Sequence, residues 1–322
     1  MAASYIISVD LGGTKILSAL INSSNQIVAR VKIATDTNDG PEALVVSIAG
    51  AVKKVIEDNH LTEADIKAVC MGVPGTVNPY TGEIALAPNL GIQNFNIKEA
   101  LANEISIPVL IENDVNLAGL GIKKFEMSND VKNMVVVFVG TGIGGAFFFE
   151  GKIYRGTTFY AGEIGHIRVE GKGDLASAPT HSTFELLASR TAIVREIKKG
   201  LNKGKKSSLR EYKSPKKALK SKALSEALNK KDPLVVKQIN KASKTIGTVL
   251  GSITTLLNID TIVLGGGVIE AMHEYMMPRI QAAFEKSVLA APGECVKIFE
   301  TKLGDDAALY GGVALAEEFL GS

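Results

Sequence analysis

One short pattern occurs twice in this chain, and the repetition restricts its possible folds more than any other feature. Tyr5-Ile-Ile-Ser-Val-Asp-Leu-Gly-Gly-Thr-Lys-Ile-Leu-Ser-Ala-Leu-Ile21 reads as apolar strand, glycine and threonine turn, apolar strand, and Val135–Glu150 repeats it around Gly140-Thr-Gly-Ile-Gly-Gly145. Gly140, Gly142 and Gly145 have the spacing of a dinucleotide fingerprint, G-x-G-x-x-G. That fingerprint works only where its glycines lead a strand into a helix whose N-terminus holds the pyrophosphate. Here Ala146-Phe-Phe-Phe follows, a β-preferring run stopped by Glu150-Gly151. The motif is therefore a hairpin. NAD is set aside, and phosphate held on backbone N–H groups is retained.

Each hairpin opens a similar succession of elements. After the first come a strand at Ile27–Ile33 and a helix opened by Gly40-Pro41, in which Val45, Ile48, Ala49, Val52, Val55 and Ile56 share one face. Strand 66–73, helix 97–105, strand 109–112 and a helix from about 114 complete the order βββαβαβα. The second half is expected to have strands at 134–139, 146–149 and about 166–169, and helices at 184–199 and 233–257. Strand 261–264, helix 270–286, strand 296–301 and helix 307–320 then follow. The expected fold is α/β, two copies of one mixed unit with the hairpins facing each other across a cleft, a site suited to a nucleoside triphosphate. At 322 residues there is room for two cores. The expected division is a smaller domain over 1–112, completed by a helix at about 307–322, and a larger one over 113–306.

Bulk properties remove several function classes. A net charge of +2 does not suit a nucleic-acid or membrane partner for the molecule as a whole. The apolar N-terminal run stops at Asp10 and has no basic residues before it, unlike a signal peptide. Cys70 and Cys295 stand in separate apolar contexts, as expected of thiols in a reducing cytoplasm. Lysine is concentrated in the segment 198–232, which reads as a solvated helix and loop insertion, since aromatic residues for base stacking are not interleaved with it.

Three further clusters carry chemistry. In Asp10-Leu-Gly-Gly-Thr-Lys15, Gly12 and Gly13 allow close backbone approach, Thr14 offers a hydroxyl to phosphate, and Asp10 can hold a hydrated Mg²⁺. Glu112-Asn-Asp114 puts a carboxylate where a buried strand gives way to a helix. Asp114 either caps that helix or serves as the base that takes a hydroxyl proton in phosphoryl transfer, with Asn113 orienting the acceptor. Ala161-Gly-Glu-Ile-Gly-His166 sets Glu163 and His166 in a loose turn, suited to hydroxyl recognition or acid–base work.

Together these motifs resemble the ROK family of sugar kinases and repressors, within the hexokinase and actin ATPase fold of duplicated RNase H-like domains. The likeness spans the chain and also rests on Gly72-Val-Pro-Gly75, Ala87-Pro-Asn-Leu90, Ile262-Val-Leu-Gly-Gly-Gly-Val268 and Gly304-Asp-Asp-Ala-Ala-Leu-Tyr-Gly-Gly312. The resemblance implies ATP-dependent phosphorylation of a hexose at its C6 hydroxyl. Glucose leads, with N-acetylmannosamine, fructose, mannose or allose as alternatives, and a kinase-inactive sugar sensor as the reading from another class. It implies Asp114 as catalytic base and Asn113, Glu163, His166 and Glu185 on the sugar hydroxyls, with Asn89 and Gly75 in the same pocket. Asp10, Gly12, Gly13, Thr14, Lys15, Thr141 and Gly142 would face the ATP phosphates and Mg²⁺, and Gly265, Gly266 and Gly267 the nucleoside side. A cytoplasmic homodimer acting in carbohydrate breakdown is the expected setting.

Two departures modify the expectation. Many relatives of this kind hold zinc with the histidine of the turn and three cysteines in the following loop. The corresponding places here are Ala176, Ala178 and Thr183, so no zinc is expected. Asp174 and His181, with His166, are the remaining candidates for a replacement site. Repressors of the family carry a helix-turn-helix ahead of the first hairpin, and with Asp10 so near the start no DNA partner is expected.

Overall fold

The computed structural model describes residues 4–35, 40–169, 183–214 and 217–321. It forms two compact units, Met1–Asp130 with Ile153–Ala161 and Asp305–Ser322, and Val131–Lys152 with Gly162–Gly304. The loop positions 174, 176, 178 and 181 lie outside the described residues.

The first unit begins with β1 (Tyr5–Leu11), β2 (Lys15–Ile21), β3 (Ile27–Ala34), α1 (Gly40–Asp58) and β4 (Ile66–Val73). Short strands β5 (Thr76–Val77), β6 (Glu83–Ala87) and β7 (Ile92–Asn96) form a separate antiparallel sheet. The unit continues with α2 (Ile97–Ala102), β8 (Val109–Asn113) and α3 (Asp114–Phe125). The main sheet runs β3-β2-β1-β4-β8, with β1, β4 and β8 parallel. Asp10 pairs in register with Gly72, and Gly72 with Glu112, so the parallel strands end together beside the first glycine turn. Helix α1 closes one face: its apolar stripe, Leu44, Val45, Ile48, Ala49, Val52, Val55 and Ile56, is buried against the sheet core of Ile7, Val9, Ile16 and Leu20.

The second unit holds β9 (Met134–Val139), β10 (Ile143–Phe149), β11 (Lys152–Tyr154), α4 (Phe184–Ala188), α5 (Arg190–Asn202), α6 (Ser221–Asn229) and α7 (Pro233–Leu257). After them come β12 (Thr261–Gly265), α8 (Gly267–Glu285), α9 (Ala290–Cys295) and β13 (Lys297–Glu300). Its sheet runs β11-β10-β9-β12-β13. This is the strand order of the first unit, hairpin and third strand on one side and two parallel strands on the other, so the duplication read from the sequence is a duplication of topology. Helix α7 starts at Pro233, with Asp232 as its cap, and stops at Asn258 in the left-handed conformation.

The last helix, α10 (Ala307–Leu320), returns to the first unit and packs on α3, β1 and β4. A Cβ on Gly311 would overlap the Leu117 carbonyl, and one on Gly312 the Ser8 hydroxyl, so α10 meets α3 backbone to backbone. Side chains at these two positions would force the layers apart.

Two expectations need correction. The third strand of the second half is Lys152–Tyr154 and not about 166–169. Glu150 and Gly151 both have positive φ (+54° and +79°), which makes the tight two-residue turn that twisted hairpins prefer and sends the chain straight back as β11. Ile164–His166 is instead one 3₁₀ turn, and Arg168 pairs with Thr183 as an isolated bridge outside any strand. The helix expected over 184–199 is two helices, because Ser189 takes an extended conformation and its hydroxyl accepts from the Ala192 N–H to cap α5. The small sheet β5–β7 was not legible as strands, since Asn78, Tyr80, Thr81 and Gly82 interrupt any alternation.

Candidate active site

In the first unit the glycine turn is tightened from two sides. The Gly12 N–H donates to the Lys15 carbonyl at 2.9 Å, and the Thr35 hydroxyl donates to the Gly12 carbonyl at 2.7 Å. Asp10, half-buried at the end of β1, has its carboxyl pushed above the usual range by burial and by the nearby Asp305, with Lys15 opposing. A Cβ on Gly13 would lie 3.1 Å from the Asn89 carbonyl, so the first glycine turn rests on the 3₁₀ turn that carries Asn89.

At the junction of β8 and α3 the capping role does not fall to Asp114. The cap is Asn113: its Oδ1 accepts from the N–H groups of Val115 and Asn116 at 2.9 and 3.0 Å, and its Nδ2 donates to the Gly75 carbonyl at 3.0 Å. Gly75 has φ +113°, and a Cβ there would overlap the Leu86 carbonyl. Asp114 is thus the first helical residue. Its Oδ1 accepts from the Val115 N–H at 2.9 Å. Laterally, Gly72 separates it from β1: a Cβ on Gly72 would stand 3.3 Å from the Asp114 Cα, and Gly72 is the register partner of Asp10.

Behind this junction lies a buried ion pair that the sequence did not announce. Glu112, 1% exposed, accepts from the Asn113 N–H at 2.9 Å and from Asn116 Nδ2 at 3.1 Å through Oε1, and from Arg155 Nε at 2.6 Å through Oε2. The other two Arg155 nitrogens form a fork onto Glu318 of α10 at 2.8 and 3.0 Å. The two carboxylates hold the Arg155 guanidinium far into its charged range despite the opposing effect of burial. Arg155 lies 43 residues from its partner, and nothing around it in the sequence marks it.

The second unit gathers its candidates more tightly. Glu185 Oε2 accepts from the Ile143 N–H at 2.8 Å, immediately beyond the second glycine turn, and a Cβ on Gly142 would overlap that carboxylate. The Gly145 N–H donates to the Gly162 carbonyl at 2.9 Å, and a Cβ on Gly145 would lie 2.8 Å from Ile164. Gly165 packs in the same way on the Ile143 carbonyl and the Glu185 Cβ. Gly142 and Gly145 of the apparent fingerprint are therefore spaces for Glu185 and for the turn that carries Glu163 and His166, whereas a Cβ on Gly140 would meet open space. His166 is 73% exposed, with Nε2 3.6 Å from Glu163 Oε2.

Thr141 is braced by α5: Arg190 donates to its hydroxyl at 2.5 Å, and the Thr191 hydroxyl donates to its carbonyl at 2.7 Å. Arg190 is a second residue that sequence reasoning missed, a cation set at the tip of a glycine turn. Gly265 closes β12 opposite Phe138, and Gly266 (φ +86°) abuts the Val139 backbone. Gly267 opens α8, so the glycine run and the hairpin share one end of the sheet. Among the described residues no group of three or more His, Cys, Asp or Glu could hold a metal ion, and no helix is long and apolar enough to cross a membrane.

The ROK family profile matches residues 6–319. A glucokinase of Halalkalibacterium halodurans is 31% identical over 99% of this chain and 96% of its own length. A putative xylose repressor of Caldicellulosiruptor is 26% identical over 96% of this chain and 77% of its own length. Among solved structures, a ROK family glucokinase from Streptomyces griseus in complex with glucose and AMPPNP is 28% identical. It superposes with a TM-score of 0.81, covering 98% of this chain and 99% of that one. The chain has the hexokinase and actin ATPase fold, and it belongs to the ROK family.

Proposed function

We propose that this protein is a cytoplasmic sugar kinase that transfers the γ-phosphoryl group of ATP to the C6 hydroxyl of a hexose, with glucose as the preferred acceptor. The observation that carries the reading is the β8–α3 junction. Asn113 takes over the capping, and Asp114 keeps a carboxylate at the helix start, where it can accept the acceptor's proton. Full-length relatives that are glucokinases support the choice of sugar.

In this reading Glu163, His166, Glu185, Asn113, Asn89 and Gly75 hold the sugar. The backbone of Gly12, Gly13, Thr14, Lys15, Thr141 and Gly142 receives the phosphates, and Gly265–Gly267 the nucleoside side. Asp114 removes the hydroxyl proton late, because phosphoryl transfer passes through a loose transition state in which positioning supplies most of the rate. The charge balance around Asp10 suits a divalent cation: a carboxyl raised by burial and by Asp305 gains from a nearby positive charge. Mg²⁺ bound with ATP would supply neutralisation of the phosphate oxygens there.

The test is ADP release from Mg-ATP across glucose, N-acetylmannosamine, mannose, fructose and allose, with D114N as control. Glucose gives the largest kcat/KM. D114N retains glucose affinity within about threefold and loses on the order of 10²–10⁴ in kcat. Comparable turnover in D114N refutes the role of Asp114. Sugar binding without sugar-dependent ADP release would replace the kinase by a sensor, the reading that the repressor relatives favour.

A further inference from the structure

Among the described residues Arg190 has no counter-charge. It is the first residue of α5 and half-buried, and its side chain meets the protein through one neutral acceptor, the Thr141 hydroxyl, at 2.5 Å. A guanidinium carries five N–H donors in a planar fork that matches carboxylate and phosphate oxygens. One bond to a hydroxyl neither neutralises that charge nor uses the fork.

The glycine turn beside it presents little negative charge of its own. The Gly140 carbonyl accepts from the Arg190 N–H at 2.9 Å, the Thr141 carbonyl from the Thr191 hydroxyl at 2.7 Å, and the Gly142 carbonyl from the Gly140 N–H at 2.9 Å. Each carbonyl oxygen of the turn therefore faces a donor of the protein. A Cβ on Gly140 would meet nothing within 4 Å, so the turn has open space at that residue. Two residues on, Gly142 lies against the Glu185 carboxylate, which is engaged by the Ile143 N–H and forms no ion pair with Arg190. Glu185 is a candidate ligand of the sugar. A cation one residue from that contact is set where donor and acceptor have to meet, and of the three phosphates of ATP the terminal one meets the acceptor.

We propose that Arg190 is a catalytic residue that holds the terminal phosphate of ATP during its transfer, through the N–H groups that Thr141 leaves unused. The inference rests on the kinase reading above and adds to it a cation that the glycine motif does not contain. In the step, the bond from the γ-phosphorus to the β–γ bridging oxygen breaks and its electron pair leaves with ADP. The C6 oxygen forms the new bond to phosphorus, and the hydroxyl proton passes to Asp114. Arg190 gives up no proton; it balances the charge on the oxygens of the phosphoryl group in flight, as an arginine supplied in cis does in other phosphoryl transfers.

Steady-state kinetics and calorimetry on the full chain test it. R190A lowers kcat on the order of 10²–10³. It weakens a non-hydrolysable ATP analogue about tenfold, while ADP and glucose bind within about threefold of the parent. R190K keeps the charge and R190Q keeps a neutral donor for the Thr141 hydroxyl, so R190K retains about tenfold more kcat than R190Q. The thermal midpoint of ligand-free R190A stays within about 4 °C of the parent, the most that one hydrogen bond to a hydroxyl shifts it. Four results overturn the proposal: R190A with kcat within about threefold of the parent, equal losses for ADP and the ATP analogue, R190Q as fast as R190K, or a larger fall in the ligand-free midpoint, which makes the arginine a structural brace. Parent protein that binds glucose but releases no sugar-dependent ADP removes the kinase reading and this inference with it. Parent protein that phosphorylates glucose, with R190A equally fast, removes this inference alone.

Discussion

Arg155→Met is the most informative single change, because it separates the support of the β8–α3 junction from the junction itself. In the folded chain the Arg155 and Glu112 side chains are 9% and 1% exposed, and among the described residues Glu112 forms an ion pair with Arg155 alone. Removing the arginine leaves a buried carboxylate that still accepts from the Asn113 N–H and Asn116 Nδ2 but has lost its counter-charge. Breaking a buried pair from one side costs about 3–5 kcal/mol. For a unit of this size 1 kcal/mol moves the midpoint by about 2–4 °C, so R155M melts roughly 6–20 °C below the parent. Replacing both charges, R155M/E112Q, recovers most of that loss, since an uncharged pair needs no compensation. Differential scanning calorimetry of the four proteins gives the coupling directly as a double-mutant cycle.

Activity adds an independent measure of the same change. Glu112 immediately precedes Asn113 and bonds to the Asn113 N–H, so a shift of its carboxylate displaces the cap that sets Asp114. Misplacing a catalytic group by about 1 Å costs up to about a hundredfold in rate. In R155M kcat falls while the affinities for glucose and ATP stay within severalfold. A cost of less than about 1 kcal/mol in R155M, or a double variant whose loss is the sum of the two single losses, refutes the reasoning.

Other changes test the remaining contacts. Gly142→Ala pushes the Glu185 carboxylate off the Ile143 N–H and raises the KM for glucose about tenfold, with overall stability little changed, in steady-state kinetics. Arg190→Ala frees the Thr141 hydroxyl and weakens ATP binding more than glucose binding, measured by calorimetry on each ligand. Gly311→Ala drives a methyl group into the Leu117 carbonyl and destabilises the first unit by several kcal/mol, seen as a lowered melting midpoint or loss of soluble protein. For Asp232, burial pushes the carboxyl up. The Ser208 N–H, the Ser207 and Ser208 hydroxyls and the Val235 N–H outweigh burial and hold it below its usual value. A carboxyl lowered by folding contributes stability above the unfolded value, near pH 4, and loses it as pH falls through the folded one. The stability gap between the parent and D232N is therefore full at pH 7 and closes below about pH 4, in thermal melts across that range.

Legibility divided along the range of the interactions. Helix α7 and strand β4 follow their expected limits because propensity, capping and burial agree there: Asp232-Pro233 marks the start of α7, and β4 is apolar on both faces because it is buried on both. Strand β11 was misplaced because its signal is a backbone conformation, two left-handed residues, and Glu150 gives no hint of adopting one. The glycine hairpins and the residues of Glu112-Asn-Asp114 could be found because each is local. The Arg155 pairings could not, because an ion pair between residues 43 and 163 positions apart leaves no periodicity to read. Assigning the cap to Asn113 and not Asp114 required coordinates, since both residue types cap helices about equally well.

The glycines of the two hairpins also make sense in a way that neither copy shows alone. In the first unit Gly13 lies against the carbonyl of Asn89, and in the second Gly142 lies against the carboxylate of Glu185. Both contacted residues are sugar-ligand candidates, and both glycines belong to turns proposed to carry phosphate. On the proposed reading each unit sets a sugar ligand directly behind a phosphate turn, with no side chain on the glycine to absorb a displacement. If both roles hold, seating the hexose and seating the triphosphate are coupled within each unit, and such coupling is reciprocal by linkage. Glucose should then tighten the binding of a non-hydrolysable ATP analogue, and that analogue should tighten glucose by the same factor, about 5–150-fold for a typical coupling. Gly142→Ala, which wedges the Glu185 contact apart, should reduce both factors equally. If calorimetry finds the two ligands independent in the parent protein, the glycine contacts are packing and nothing more.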